Sequence, residues 1–427
     1  MKKCVYKGVD EVVYYEKLDN GIEVFMYPSK TARNFYLTFN VKFGSMDVEF
    51  KKGKEKKYTT VPNGTAHFLE HQMFQEDGGE TAFTKFAKLG SSVNAFTSYN
   101  QTCYEVIAGD NFKENLEILL DYVQNPVFKA GSVSQEKGII KEEISMYDNA
   151  PMSVLNFGLE YNINQVDHHK YTISGTYEDI KEITPDVLMK AYETFYTPEN
   201  MFIVLTGKFN PHEALGIIKA NQNKKTFKAH EKITVKKPHE PLEVANPYEE
   251  RQMDVGVPKL KIGYKLDKAA FKGFKDIEIK IYLDAILQSK FGPTSDLLEG
   301  MLDENLLMYD LATAREIRDD YILLSFECET DYKEEVIDLI RKELKNIKVT
   351  KEELERAKRT DKANFILHFN DILSVAEDIE DDILADGKIR DDIFTIYDEM
   401  NVSAANKIAS AIKPKHESIF YIDRLTV

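Results

Sequence analysis

The 427-residue chain has no tryptophan and only three cysteines, Cys4, Cys103 and Cys328. They are odd in number and far apart, which excludes a disulfide framework and a cysteine-based zinc knuckle. Long apolar runs are missing too. No stretch approaches the roughly 18 residues that a membrane-spanning helix needs, so no membrane span is expected. The opening MKKCVYKGVDEVVYYEK carries lysines with no apolar segment behind them. It does not read as a signal peptide, and a reduced, cytoplasmic setting is expected. Positive charge is in deficit as well. The 56 Lys and Arg stand against 72 Asp and Glu, a net charge of −16. That balance argues against nucleic acid as the main partner, because phosphate binding needs a basic surface. It suits a solvated acidic surface, or an acidic cavity that favours basic peptides.

What is present is globular. Hydrophobic residues make up 43% and aromatics 11% of a chain long enough for two or more domains. Strand-like and helix-like segments alternate through the first half. Residues 223–250 are rich in Lys, Glu, Pro and His and read as a linker. The second half repeats the first. CETDYKEEVIDLIRKELKNI (328–347) echoes AGDNFKENLEILLDYVQNPV (108–127), VTKEELERAKR echoes VSQEKGIIKEE, and VSAANKIASAIKPKHESIFYI echoes TPDVLMKAYETFYTPENMFIVL, all in the same order. Two homologous duplicated domains are expected, 1–222 and 251–427. Each is expected to be α+β, a mainly antiparallel sheet with helices packed on one side.

The stretch GTAHFLEHQMF (64–74) carries two histidines four residues apart. On a helix His67 and His71 project from one face, one turn apart, with Glu70 beside them. Two imidazoles at that spacing can share one zinc ion. A neighbouring carboxylate that does not itself bind the metal can act as general base towards water. Thr65 is the expected N-cap, and Ala66, Leu69 and Met73 the packing face. A third ligand must come from elsewhere. The helix from about Val133 offers Glu136, Glu142 and Glu143, and Glu136 and Glu143 share a face two turns apart. Spacing alone leaves open a ligand pair or a solvated acidic helix end. In the second half the matching helix, IYLDAILQSKFG, has no histidine, and aligning Val133 with Val349 sets Arg359 opposite Glu143. An active first domain and a silent second one are expected. DHHK (167–170) resembles a ligand pair, but adjacent loop residues seldom chelate one ion.

HxxEH reverses the common HExxH order and is the inverzincin signature. With the distal EKGIIKEEI, NAFTS and the duplication, the chain resembles the pitrilysin/insulinase metallopeptidases, in particular the two-domain processing-peptidase-like bacterial branch. The resemblance implies a zinc endopeptidase holding one zinc per chain on His67, His71 and Glu143, with Glu70 as general base. It implies Glu136 as the acid that orients a histidine from behind. Asn94, Ala95, Phe96 and Thr97 match the family's substrate-binding edge strand, to which a peptide adds as an extra strand. The family's later Arg/Tyr pair is matched only by Tyr309; no arginine precedes it at the right spacing, and Arg315 and Tyr321 lie near but out of step. The implied working form is therefore a clamshell heterodimer with a homologous two-domain subunit that lacks HxxEH, or, alternatively, a homodimer, cleaving short or unfolded peptides. The competing reading is a non-catalytic assembly subunit of the same family.

Overall fold

A computed structural model describes residues 1–76, 81–228 and 231–425. The chain forms two compact units. The first comprises residues 1–144, 172–237 and 365–393, the second residues 145–171, 238–364 and 394–427. The units are not continuous halves of the sequence. Helix Pro151–Ile163 belongs to the second and helix Ile372–Asp386 to the first.

Strands β1 (Lys2–Tyr6), β2 (Glu11–Lys17), β3 (Glu23–Pro28), β4 (Phe35–Val41), β5 (Glu49–Lys52), β6 (Thr59–Thr60), β7 (Ser92–Thr97), β8 (Thr102–Ala108), β9 (Met201–Gly207) and β10 (Ile233–Val235) belong to the first unit. Its main sheet has the order β1-β2-β3-β9-β4-β8-β7, with β3 and β9 parallel and every other pair antiparallel. A small sheet, β10-β5-β6, ties part of the expected linker to the strand before the HxxEH motif.

Strand β4 shows why the sheet is covered twice. All seven of its residues are buried. Phe35, Leu37, Phe39 and Val41 face a core built with helices Thr65–Met73 and Phe112–Val123. Tyr36 turns to the opposite face, where helix Ile372–Asp386 packs through Ile372, Val375, Ala376, Ile379 and Ile383. A strand buried on both faces loses the clean in–out alternation of a one-sided sheet.

The second unit holds β11 (Tyr248–Met253), β12 (Lys259–Asp267), β13 (Ala312–Ile317), β14 (Tyr321–Glu329) and β15 (His416–Arg424) in the order β11-β15-β12-β14-β13. Only β11 and β15 run parallel. Helix Pro151–Ile163 packs there on Tyr321, Leu323, Phe420 and Ile422. The contact leaves no room for a side chain at Gly158, where a Cβ would meet Phe420 at 2.1 Å. Glu240, within the expected linker, is buried against Lys265, and its carboxylate accepts the backbone N–H groups of Gln165, Val166 and Asp167 at 2.7–2.8 Å. No helix among the described residues is long and apolar enough to cross a membrane.

Candidate metal centre

The HxxEH helix, Thr65–Met73, is anchored before it carries any chemistry. Phe68 and Leu69 are fully buried and Met73 nearly so, in the main core. The expected N-cap at Thr65 is not formed. Gly64 holds that position in the left-handed region at φ +78°, and no side chain caps the helix. Thr65 instead donates its hydroxyl back to the Pro62 carbonyl at 2.7 Å. The substitution has a steric cause: the chain crosses residues 174–175 so closely that a Cβ at Gly64 would lie 2.2 Å from the Ser174 carbonyl oxygen. Only glycine meets both demands.

From this helix His67, Glu70 and His71 project together, and helix Ala130–Asn149 brings Glu136 and Glu143 to them. His67 Nε2 lies 3.6 Å from Glu143 Oε1, and His71 Nε2 lies 3.6 Å from Glu143 Oε2. One donor atom from each of the three residues falls within 4.8 Å of the others, and this is the only such group found among the described residues. The separations are too long for hydrogen bonds. They suit an ion, since a tetrahedral site with bonds of about 2.0–2.2 Å keeps its ligands roughly 3.4 Å apart. Two imidazoles and one carboxylate form a donor set that favours zinc. Glu142, left open by spacing, points to solvent.

Behind the histidines the polar contacts are specific. His71 Nδ1 is 2.9 Å from Glu136 Oε1, so with Nε2 turned to the cluster Nδ1 carries the proton and donates. Gln72 Nε2 donates to the other oxygen of Glu136 at 3.2 Å, and Ser132 donates to Gln72 Oε1 at 3.0 Å. Glu70 is 5% exposed and accepts the Thr97 hydroxyl at 2.8 Å. His67 Nδ1 is buried and has no hydrogen-bond partner among the described residues. Burial, with the charge of His71 beside it, pulls the His67 imidazole down to about 3, so it stays neutral. Burial pushes Glu70 up to about 7, against the opposing pull of His71 and the Thr97 hydrogen bond. For His71, burial lowers the pKa, but the hydrogen bond to Glu136 and the surrounding carboxylates win and raise it. A neutral imidazole is the form that ligates a metal.

The residues expected to touch substrate divide by face. Among the described residues, strand β7 is the sheet's edge, paired only with β8. Val93 and Ala95 pack against the core beneath the HxxEH helix, and Thr97 reaches Glu70. Asn94 and Phe96 alternate to the other face, opposite Glu105 and Cys103, with Phe96 exposed. Tyr309 belongs to the second unit, on a bend before β13, and is 71% exposed. Arg315 is taken up in an ion pair with Asp284 at 2.6 Å, and Tyr321 is fully buried. In DHHK, His169 is occupied by Asp167 at 2.6 Å.

Sequence reasoning missed the contacts of Gln72, Ser132 and Thr97. Gln72 and Ser132 lie next to the recognised residues, but nothing in their spacing marks them. Thr97 was legible only as a strand residue.

Known proteins resemble this chain over most of its length. The family model described as "Insulinase (Peptidase family M16)" matches residues 53–177, and "Peptidase M16 inactive domain" matches residues 182–360. The uncharacterized zinc protease YmfH of Bacillus subtilis (strain 168) is 35% identical over 308 residues, 72% of each chain. Mitochondrial-processing peptidase subunit beta of Dictyostelium discoideum is 31% identical over 162 residues, 37% of this chain and 34% of that one. The crystal structure of an M16-like peptidase from Alicyclobacillus acidocaldarius superimposes with a TM-score of 0.91 at 24% identity, covering 99% of this chain and 100% of that one.

Proposed function

Because the chain belongs to the insulinase family of metallopeptidases, peptidase family M16, we propose that it is a zinc-dependent endopeptidase acting on short or unfolded peptides. The observation that carries this reading is the convergence of His67, His71 and Glu143 at ion-ligand spacing, with Glu70 alongside and unused as a ligand.

His67, His71 and Glu143 would hold one zinc ion. Such an ion supplies Lewis acidity, polarising the scissile carbonyl and easing the deprotonation of water. Glu70 takes the proton. In the metal-free site, burial holds its carboxyl above the ordinary carboxylate range. Thr97 holds Glu70 by one oxygen and leaves the other for the water. Glu136 fixes the tautomer and ring orientation of His71. The free edge of β7, Asn94 to Thr97, takes the peptide as an added strand through main-chain hydrogen bonds. Tyr309 is assigned to substrate contact. The partner is a homologous two-domain subunit lacking HxxEH, with a homodimer as the alternative, and the setting is cytoplasmic. The family resemblance and the missing arginine of the Arg/Tyr pair support the partner assignment.

The test is metal-dependent cleavage. Purified protein, alone and with a candidate homologous subunit, is offered an unstructured peptide library before and after chelation. Cleavage that chelation abolishes and one equivalent of zinc restores is expected. Cleavage indifferent to chelation refutes the reading.

A further inference from the structure

The corner that joins β7 to β8 is held on both faces of the sheet. On the side of the HxxEH helix, Thr97 donates to Glu70 at 2.8 Å. Thr97 pairs with Thr102 on the last rung of the ladder, and Ser98 N donates to the Gln101 carbonyl at 2.8 Å to close the turn. On the opposite side Gln101 turns inward and is 5% exposed. Its Nε2 donates to Asn40 Oδ1 at 2.6 Å and reaches Glu380 Oε2 at 3.4 Å. Asn40 Nδ2 in turn donates to Glu380 Oε1 at 3.0 Å, and the Thr38 hydroxyl donates to that same oxygen.

Glu380 is an expensive residue to place there. It sits on helix Ile372–Asp386 among Ala376, Ile379 and Ile383, buried, and among the described ion pairs none includes it. A buried carboxylate without a counter-charge costs stability that an apolar side chain would not. What the polar group adds is direction: three donors, two from β4 and one from the corner, are held in one arrangement.

We propose that Glu380, acting through Gln101, is a positioning residue for peptide cleavage, fixing the β7–β8 corner and thereby the register of the β7 edge against Glu70. This rests on the peptidase reading above. A peptide added to β7 advances about 3.3 Å per residue and alternates faces at each step. A corner displaced by a fraction of that step presents the wrong bond, or the right bond badly placed, and a misplacement of about 1 Å can cost on the order of 100-fold in rate.

The experiment uses the full-length, zinc-loaded chain, with its partner subunit if cleavage requires one. Glu380→Leu, Gln101→Leu and the conservative Glu380→Gln are compared with wild type for zinc content, kcat and KM on an unstructured peptide, and cut sites mapped by mass spectrometry. Both leucine variants are expected to keep one zinc. Each should lose roughly 10- to 100-fold in kcat and scatter cleavage over neighbouring bonds, while Glu380→Gln, which keeps an acceptor for Thr38 and Asn40 but turns an NH2 toward Gln101, should fall between wild type and the leucine variants. Should Glu380→Leu fail to fold, Gln101→Leu, on the turn, carries the same prediction. Leucine variants with wild-type kcat and cut sites, changed only in melting temperature, overturn the positioning role. Zinc-loaded wild type that cleaves nothing overturns the peptidase reading, and this role with it.

Discussion

Replacing Glu136 with alanine removes the carboxylate behind His71 while leaving all three proposed ligands in place. The residue is 7% exposed, its carboxylate 2.9 Å from His71 Nδ1 and 3.2 Å from Gln72 Nε2. A hydrogen bond to a charged group contributes about 1.5–3 kcal/mol. At about 1.4 kcal/mol per tenfold, losing the one that orients His71 should weaken zinc roughly 10- to 100-fold. The same range is typical when the group behind a metal-bound histidine is removed. Glu136→Gln should lose less, because the amide oxygen still accepts the Nδ1–H. The assay is competition for zinc against a chromophoric chelator at neutral pH. A melting curve of the metal-free variant separates loss of fold from loss of affinity. Zinc held by Glu136→Ala as tightly as by wild type would refute the claim that this contact serves the metal site.

Other expectations follow from the same structure. Gly64→Ala forces a Cβ to within 2.2 Å of the Ser174 oxygen at a positive φ, and should destabilise the fold by about 1–3 kcal/mol in urea titration. Glu240→Ala leaves buried Lys265 without its carboxylate and three backbone N–H groups without their acceptor, and a loss of about 3–5 kcal/mol should appear in the same assay. Glu380 gives a pH signature. Burial pushes its carboxyl up to about 7 from the ordinary 4.5, so between those values the folded state holds a proton that the unfolded chain has released. Stability from this group should therefore fall by roughly 3 kcal/mol as pH rises through that window and level off above it. Glu380→Gln should remove this fall, and an unchanged pH–stability curve would contradict the assignment.

The local parts of the site were legible because they are periodic. His67, Glu70 and His71 fall on one helical turn, and Glu136 and Glu143 on one face of another helix, so each half of the candidate site was legible from spacing, though not their meeting. Assigning one glutamate to the ion and the other behind it rested on the family resemblance; Glu143 lies 3.6 Å from both His67 and His71, and Glu136 lies 2.9 Å from His71 Nδ1. The N-cap was misread at Thr65 because a close backbone crossing, which no local pattern announces, demanded glycine one residue earlier. The repeat also showed itself in sequence, but the membership of helices Pro151–Ile163 and Ile372–Asp386 did not. Each has an apolar face whose destination is set by tertiary packing, not by its own period. Glu380 escaped notice for the same reason: its partners lie some 280 and 340 residues away.

Glu70→Gln tests the central claim most directly, with zinc content and peptide cleavage measured on one preparation. The substitution keeps the shape of the side chain and an acceptor for the Thr97 hydroxyl, and leaves His67, His71 and Glu143 untouched. One zinc per chain with cleavage reduced by several orders of magnitude is the predicted result. Cleavage at the wild-type rate, or a full-length wild-type chain that takes up no zinc, would contradict the account.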